Sequence, residues 1–286
     1  MGIKLSICIP TYNFADFIGA TLESVIPEAT SEVEIVVVDG ASKDNTREIV
    51  QDYQKKFPRL HLFSRDKNVG VDRDLAKSVE LAQGEYCWFL SSDDTLKKGA
   101  IKRILAEIEN DCDIYLCNRV ECDFNLKPLK DRLWLSRDVG DKVFNIADKT
   151  ELMKYLDKAC SIGALFSYCS SIIFKRQRWN SVSYDEKFIG TGYAHVNILF
   201  SFNNTLSKLK YIKEPLVFCR GDNDSFLKQG TVKRFLIDIE GYNLLASHLF
   251  GDSNIRDAFL KVVRREIKLN YLLKIRSLTK DITLWD

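Results

Sequence analysis

Apolar and polar positions along the first 125 residues alternate in a pattern typical of strands separated by helices. Short runs rich in Val, Ile, Leu and aromatic residues predict five strands. These strands are Leu5–Ile9, Glu34–Val38, Leu60–Ser64, Tyr86–Leu90 and Ile114–Asn118. Amphipathic segments with helical spacing lie between them. This order predicts an α/β fold with a mostly parallel sheet flanked by helices.

The pattern changes after this first part. From Asn125 to Leu165 it weakens and becomes charged and aromatic, which predicts an irregular connection or a lid. Two further strands are predicted at Ser170–Phe174 and Leu209–Phe218, with a turn and a helical segment between them. From about Thr231 onward the spacing of apolar residues predicts two helices.

Two adjacent acidic residues, Asp93 and Asp94, follow the fourth predicted strand. In open α/β sheets ligands bind at the carboxyl ends of the strands, and divalent cations prefer oxygen ligands. Our first hypothesis is therefore a metal that holds a phosphate-containing substrate. The alternative is a helix N-cap, because Asp is favoured there and a helical pattern runs from Lys97 to Glu109.

Three other predicted strands also end in polar or turn-forming residues. Pro10–Asn13 follows the first strand, Asp39–Asp44 the second and Asn68–Gly70 the third. Each segment alone could be an ordinary turn, because Pro, Gly, Asn and Asp are the usual turn residues. In a doubly wound sheet, however, these strand ends converge on one rim and can line a nucleotide-sized cleft.

The composition is that of a globular protein without a strong overall charge. Of the 286 residues 45% are hydrophobic and 29% are charged, and the net charge is +2. This balance argues against disorder and gives no reason to expect a nucleic acid partner. The uncharged, largely apolar run Ser161–Phe174 is shorter than the ~18 residues of a spanning helix, so we do not expect an integral membrane protein. We also expect no signal peptide and a mature chain that begins at Met1, because the N-terminus enters a strand pattern directly.

Eight cysteines could suggest disulfides, but the sequence around two of them favours free thiols and hence a reducing compartment, the cytoplasm. Cys8 and Cys87 lie inside apolar strands, where free Cys behaves as a small buried hydrophobe. Cys112, Cys117 and Cys122 recur at five-residue intervals, which on an extended segment puts neighbours on opposite faces. We favour structural thiols over a zinc site, because the close Cys-x-x-Cys pairs of common zinc sites are absent.

Taken in order, the segments PTYN, VVVDGASKDNT, NVG, AQGEYCWFLSSDD and YDEKFIGTGYAH resemble the GT-A glycosyltransferases of family 2. The resemblance covers roughly Leu5 to Phe218. It implies transfer of a sugar from a nucleotide donor by a Rossmann-like domain. Residues 1–125 would bind the nucleotide sugar, residues 126–230 would bind the acceptor, and residues 231–286 would form a helical extension.

The same resemblance implies roles for particular residues. The residues expected to bind the donor are Pro10, Thr11, Tyr12, Asn13, Asp39, Asn68, Gly70, Arg73 and Asp93. Asp93 and Asp94 match the end of a metal-binding motif and would hold Mn²⁺ or Mg²⁺. The chain departs from the usual motif at Ser91, where many relatives have a first Asp.

Sugar transfer develops negative charge on the leaving diphosphate, which a divalent cation or an arginine can stabilise. Asp94 would serve catalysis through the cation. Arg220, after the last predicted strand, is a candidate second clamp because its planar fork suits phosphate oxygens. The alternative for Arg220 is a surface ion pair with Asp222 or Asp224.

An inverting transfer also needs a base near the acceptor hydroxyl. Relatives commonly have an acidic pair where this chain has Ala194 and His195. A neutral imidazole can accept a proton at pH 7, so His195 is the candidate base, with a buried structural histidine as the alternative. Asp185 and Glu186 are the fallback bases, or else turn or cap residues.

The segment Lys261–Lys280 has seven basic residues interleaved with apolar ones. Such a helix can lie on an anionic membrane surface, or it can pack on the core with a solvated basic face. Membrane contact at the inner face of the cell membrane would suit an acceptor glycan that is carried on a lipid.

The segments SSDD and RGDNDSF, together with His195, resemble the abequosyltransferase-like branch of the family. That branch implies a CDP-3,6-dideoxyhexose donor such as CDP-abequose and a role in O-antigen synthesis. A UDP-hexose or dTDP-deoxyhexose donor is the alternative within the family. A non-catalytic protein that binds a nucleotide sugar or a lipid carrier is the alternative of another class.

Overall fold

One mixed sheet forms the centre of the protein. The computed structural model describes residues 2–204, 207–223, 230–251 and 253–266. The strands in these residues are β1 (Leu5–Thr11), β2 (Val33–Asp39), β3 (Leu60–Ser64), β4 (Tyr86–Phe89), β5 (Thr95–Leu96), β6 (Ile114–Cys122), β7 (Pro128–Arg132), β8 (Lys142–Asn145), β9 (Ile172–Lys175) and β10 (Lys208–Cys219). The predicted strands are therefore present, with bounds that differ by a few residues.

Helices cover both faces of the sheet. Those in the described residues are α1 (Ala15–Val25), α2 (Thr46–Lys56), α3 (Val71–Leu81), α4 (Ala100–Glu107), α5 (Lys149–Lys158), α6 (Arg176–Asn180), α7 (Ala194–Phe200), α8 (Thr231–Phe250) and α9 (Asn254–Glu266). The last two are the helices predicted from about Thr231 onward, and they confirm a helical C-terminal region.

The strands are ordered β3-β2-β1-β4-β9-β6-β10-β5, with β7 beside β6 and β8 beside β10. From β3 to β4 all neighbours are parallel, as the alternating pattern predicts. β9 then lies antiparallel between β4 and β6. The mostly parallel arrangement therefore describes the first half of the sheet, and beyond β4 the pairing is mixed.

Alternate side chains of the central strands fill two cores. On one face Ile7 of β1 and Ile35 of β2 pack with α1, α2 and α4. On the other face Cys8 and Val36 pack with α3, α7 and α9. Successive residues of a strand point to opposite faces, so a strand covered by helices on both sides is apolar throughout. This explains why β1 and β2 read as continuous hydrophobic runs.

The expected irregular connection between Asn125 and Leu165 is wrong. β7 pairs with β6, β8 pairs with β10, and α5 follows. β7 is almost wholly exposed, so it lacks the apolar alternation of a buried strand. The start of α5 does carry a local signal, because the Asp148 side chain caps the helix by accepting from the N–H of Glu151 at 2.9 Å.

Cys112, Cys117 and Cys122 are buried free thiols. None of the helices in the described residues is long and apolar enough to cross a membrane. In the described part of the segment Lys261–Lys280, Val262 and Val263 are buried against the core. Residues 267–280 lie outside the described residues.

Candidate active site

The acidic pair lies between β4 and β5, at the carboxyl end of a central strand. Asp93 is 8% exposed and Asp94 is 2% exposed. The next helix, α4, begins at Ala100 after Gly99, so the pair does not cap it. The hypothesis of a helix N-cap is therefore wrong, and the two carboxylates have no part in starting a helix.

Three donors hold the carboxylate of Asp94. The hydroxyls of Tyr168 and Ser170 donate to Oδ2 at 2.5 and 2.6 Å. The main-chain N–H of Arg220 donates to Oδ1 at 3.1 Å. These donors come from chain segments just before β9 and just after β10, so Asp94 is positioned by distant parts of the sequence.

Burial raises the pKa of Asp94 to about 7, and the negative charge of Asp93 adds to this effect. The hydrogen bonds from Ser170, Tyr168 and Arg220 oppose the shift. Burial first, and the neighbouring negative charge of Asp93 second, thus favour the protonated form of Asp94. A cation bound here would relieve the repulsion between the two carboxylates.

Ser91 supports the acidic pair directly. Its hydroxyl donates to Oδ1 of Asp93 at 2.6 Å, and the side-chain amide of Asn223 donates to Oδ2 at 2.8 Å. A third aspartate at position 91 would put another negative charge against Asp93. The departure from the family motif at Ser91 therefore exchanges a charge for a hydrogen-bond donor.

Arg220 is bound to the backbone around the acidic pair. Its Nε donates to the carbonyl of Asp93 at 3.0 Å, and its Nη1 donates to the carbonyl of Phe124 at 2.5 Å. The guanidinium also lies over the ring of Phe17, 4.8 Å from the centroid. The alternative, a surface ion pair, does not account for this geometry, although Asp224 lies outside the described residues.

A second arginine, Arg119 of β6, lies on the same side of the pair. Its guanidinium stacks over the rings of Tyr168 and Trp134, at 4.3 and 5.3 Å from their centroids. Its Nε is buried without a hydrogen-bond partner among the described atoms. Because Tyr168 also binds Asp94, a positive charge is held close to the acidic pair.

These groups line one open cleft of about 740 Å³. The charged residues that line the cleft include Asp93, Asp94, Arg119 and Arg220. Tyr193, at the N-terminus of α7, also lines it. A space of this size accommodates a nucleotide sugar or a short glycan. Carboxylates for a cation and arginines for phosphate thus meet in a single space.

The donor set at Asp93 and Asp94 fits a divalent cation. No group of three His, Cys, Asp or Glu side chains that could hold a metal occurs in the part of the chain that the structure describes. A cation would therefore be bound through one or two carboxylates, with phosphate oxygens and water as the remaining ligands. Mg²⁺ and Mn²⁺ are commonly held in this way.

The structure brings the loops after β1 and β2 together. The main-chain N–H of Asn13 donates to Ser42 Oγ at 2.8 Å, and Asn13 Oδ1 accepts from the N–H of Lys43 at 2.7 Å. Thr11 pairs with Asp39 in the sheet, so Pro10, Thr11 and Tyr12 lead to the same rim. Phe14, which follows Asn13 in the chain, lines the cleft, so the rim continues into the cleft.

Asp39 is fully buried at this rim. Its Oδ1 accepts from the N–H of Ser42 at 3.1 Å, and its Oδ2 lies 3.2 Å from Nη2 of Arg47. Each carboxylate oxygen has a second lone pair, so a base could still donate to it. In the described structure, however, Asp39 first serves to hold its own loop.

The segment after β3 contains the remaining residues expected to bind the donor. Asn68 Oδ1 accepts from the N–H of Gly70, which has a φ of +90° and therefore favours glycine. Arg73 forms an exposed ion pair with Glu186 at 2.6 Å. Asn68, Gly70 and Arg73 are not among the described residues that line the cleft with Asp93.

His195 is 4% exposed and does not line that cleft in the described residues. Its Nε2 lies 2.9 Å from the carbonyl of Phe166, and its Nδ1 is buried without a partner among the described atoms. Burial lowers the pKa of the imidazole, so the ring is neutral at pH 7. Asp185 caps the turn at Lys187, and Glu186 pairs with Arg73.

The sequence alone did not identify the side chains that hold the acidic pair, namely Tyr168, Ser170 and Asn223. It also did not identify the positively charged guanidinium of Arg119 in the cleft. Arg119 had a local signal, because an arginine near the end of a buried strand is unusual. No local sequence signal marks Tyr168 and Ser170, since serine and tyrosine next to a strand are common.

Comparisons with known proteins agree with this site. A family model described as glycosyl transferase family 2 matches residues 6–168, more than half of the chain. The chain is 38% identical over 269 residues to abequosyltransferase RfbV of Salmonella typhimurium (strain LT2), covering 92% of this chain and 80% of that protein. It is 32% identical over 118 residues to chondroitin synthase of Escherichia coli, covering 40% of this chain and 17% of that protein.

Among solved structures, TarS 1-349 of S. aureus matches with a TM-score of 0.70 at 18% identity, over 98% of this chain and 76% of that chain. The complex of the same TarS piece with UDP-GlcNAc also matches with a TM-score of 0.70, covering 98% of this chain and 77% of that chain. These matches confirm the predicted Rossmann-like α/β fold. The match to the family model and the 38% identity to abequosyltransferase show that the chain, which has the GT-A fold, belongs to glycosyltransferase family 2.

Proposed function

We propose that this protein transfers a 3,6-dideoxyhexose from a CDP donor such as CDP-abequose to a lipid-linked glycan during O-antigen synthesis. The observation that carries the proposal is the acidic pair Asp93–Asp94 in a cleft that also holds Arg119 and Arg220. The 38% identity to abequosyltransferase over 92% of the chain supports the choice of sugar. The reaction would take place in the cytoplasm, at the inner face of the cell membrane.

The proposed transfer is metal-dependent. Asp93 and Asp94 would bind Mn²⁺ or Mg²⁺ together with the donor's phosphate oxygens. The cation would neutralise charge that develops on the leaving diphosphate. Arg220 would act on the same charge, because its guanidinium is already fixed by the carbonyls of Asp93 and Phe124.

The nucleotide would lie along the rim formed by Pro10–Asn13 and Asp39. Support comes from the contact of this rim with the cleft through Phe14. Asn68, Gly70 and Arg73 are proposed to shape the outer side of the donor cleft. The ion pair between Arg73 and Glu186 would then link the half of the domain that binds the donor, residues 1–125, to the segment that precedes α7.

We retain His195 as the proposed base. Its neutral ring has one nitrogen without a partner among the described atoms, which is what proton acceptance requires. Its burial means that a water molecule, or a movement of the α7 N-terminus, must connect it to the acceptor hydroxyl. With His195 as base, attack from the side opposite the diphosphate inverts the anomeric centre.

The donor is tested by thermal unfolding with CDP, UDP, GDP and dTDP, each with Mn²⁺ and with chelator. A ligand at 100 times its dissociation constant stabilises the protein by about 2.7 kcal/mol. We expect a metal-dependent rise in melting temperature that is largest for CDP. A preference for UDP or dTDP would replace the proposed donor by the alternative donors of the family. The absence of any shift would contradict the donor site itself.

Transfer is tested with the preferred donor and a membrane extract as acceptor source. Asp94→Asn should lower transfer by at least about a hundredfold, since it removes a ligand of the cation. His195→Ala should abolish transfer and leave the nucleotide-induced shift intact. A parent protein that binds nucleotide sugar but transfers to no acceptor would favour a non-catalytic binding protein.

A further inference from the structure

The tip of the β6–β7 hairpin has an unusual surface. We call residues 124–130, with the sequence FNLKPLK, the hairpin tip. Phe124 is 45% exposed, and Leu129, at 66%, is the most exposed large apolar side chain in the described residues. The ring of Phe124 packs edge-on against that of Phe17, 5.7 Å between centroids, so both exposed apolar side chains of the tip are carried by the structured part of the domain.

The charges of the tip are positive. Lys127 and Lys130 are both exposed and the tip contains no acidic residue, although Nζ of Lys130 lies 3.1 Å from Oε2 of Glu121, which offsets part of its charge. On its flanks, Asp123 is turned toward the hairpin, where its Oδ1 accepts from the N–H groups of Asn125 and Lys127 at 2.9 Å. Asp131 is exposed, and its negative charge offsets part of the positive charge of the two lysines.

The described chain ends beside the β6–β7 hairpin. Glu266, the last residue of α9, pairs with Arg132 of β7 at 2.5 Å. The chain therefore continues from a point beside the hairpin. In the sequence, residues 267–280 contain four basic residues and no acidic one.

The tip is also a wall of the active site. Leu129 and Lys130 line the cleft that contains Asp93 and Asp94. Arg220 connects the two places, because it donates to the carbonyl of Phe124 and its main-chain N–H donates to Asp94. A surface bound by the tip would accordingly lie at the mouth of the cleft.

We propose that the hairpin tip docks the protein on an anionic phospholipid bilayer, with Phe124 and Leu129 in the interface and Lys127 and Lys130 at the lipid headgroups. Exposed apolar side chains next to lysines are the chemistry of interfacial membrane anchors. The benefit for catalysis rests on the proposed function, since docking would present the cleft to a lipid-linked acceptor. Docking itself requires neither donor nor acceptor.

The test is co-sedimentation of the full chain with vesicles of phosphatidylcholine alone and of phosphatidylcholine with an equal part of phosphatidylglycerol. The double variant Phe124→Ser/Leu129→Ser removes the apolar part of the tip. The matched control is Val143→Ser/Leu244→Ser, which removes two apolar side chains that are 43% and 39% exposed on β8 and α8. Lys127→Gln/Lys130→Gln removes the charges.

The parent should bind the anionic vesicles. The Phe124/Leu129 variant should bind at least about tenfold more weakly, and the control should bind like the parent. Each lysine contributes about fivefold on anionic vesicles and nothing on neutral ones. Melting temperatures show whether each variant is folded before its binding is compared.

Two results would overturn docking by the tip. One is the absence of binding of the parent to anionic vesicles. The other is binding that survives both tip variants but is lost in Lys268→Gln/Lys274→Gln/Arg276→Gln, which would assign docking to the C-terminal residues instead. Neither result depends on nucleotide binding, so a failed nucleotide shift with intact vesicle binding would contradict the proposed function alone.

Discussion

The hydroxyl of Tyr168 donates to Oδ2 of Asp94 at 2.5 Å, across 74 positions of sequence. Asp94 is 2% exposed, so bulk water cannot replace the hydrogen bond that the Tyr168 hydroxyl donates to it. We predict that Tyr168→Phe lowers the free energy of unfolding by about 1–3 kcal/mol. It should also raise the Mn²⁺ concentration needed for the nucleotide-induced shift, because Asp94 is held less firmly.

Tyr53→Phe is the matched control for this variant. The Tyr53 hydroxyl also donates to a carboxylate, that of Glu23, at 2.7 Å, but on the surface. Its removal should cost less than about 1 kcal/mol and leave the metal requirement unchanged. Equal losses in the two variants, measured by urea unfolding, would contradict a special role for Tyr168.

Arg220→Ala should lower kcat for transfer by at least about a hundredfold, since it removes a fixed positive charge from the leaving diphosphate. Arg220→Lys should recover only part of the rate, because an ammonium group cannot reproduce the planar fork. The main-chain N–H that binds Asp94 is kept in both variants. Arg176→Ala is the control, since Arg176 also donates to backbone carbonyls, those of Gln83 and Gly84. A kcat for Arg220→Ala within twofold of the control would refute the clamp.

Gly163 packs against the ring of Trp134 so closely that a Cβ atom would lie 2.1 Å from the ring atom Cε3. Trp134 cannot easily move, because its Nε1 donates to the carbonyl of Cys117 at 2.7 Å in a buried position. We predict that Gly163→Ala destabilises the protein by about 1–3 kcal/mol. Gly140→Ala, where a Cβ atom meets nothing within 4 Å, should be neutral. Thermal unfolding of both variants decides the point.

His195 should make the free energy of unfolding fall as the pH is lowered below about 6.5, whereas Asp94, whose pKa is raised to about 7 by burial, contributes in the opposite direction. Burial lowers the folded-state pKa of His195, while the charge of Asp72 and the carbonyl of Phe166 act in the opposite direction. The unfolded chain therefore binds more protons between the folded pKa and ~6.5, so the stability from this group is present above that window and lost within it.

His195→Gln should flatten this part of the pH profile relative to the parent. The comparison with the parent is needed because burial also lowers the pKa of His248, which contributes in the same direction. Urea unfolding between pH 5 and 8 gives both profiles. Identical profiles would mean that His195 has the same proton affinity in the folded and unfolded chains.

The first half of the fold could be predicted from the sequence because its signals are local. β1 and β2 are apolar on both faces, and each ends at residues that break the strand, so both the strands and the rim follow from neighbouring residues. The family motifs follow the same strands. The positions of Asp93 and Asp94 at the end of β4 follow from these neighbouring residues alone.

The surroundings of Asp94 could not be predicted, because they depend on distant pairing. Ser170 reaches Asp94 across 76 positions and Arg220 across 126. Their placement requires β9 to run antiparallel between β4 and β6, which no local pattern specifies. For the same reason the burial of His195, set by contacts such as that with Phe89, was not visible in its own segment.

The insertion of β9 between β4 and β6 has a consequence for biosynthesis. A ribosome that has released only the first half of the domain has made Asp93 and Asp94 but not Tyr168, Ser170 or Arg220. Contacts between such distant residues form late, because closing a long loop costs entropy before any contact compensates for it. A nascent or truncated chain would thus carry the motif by which the family is recognised without a formed cation site, and competence to bind the donor would arrive only with completion of the sheet.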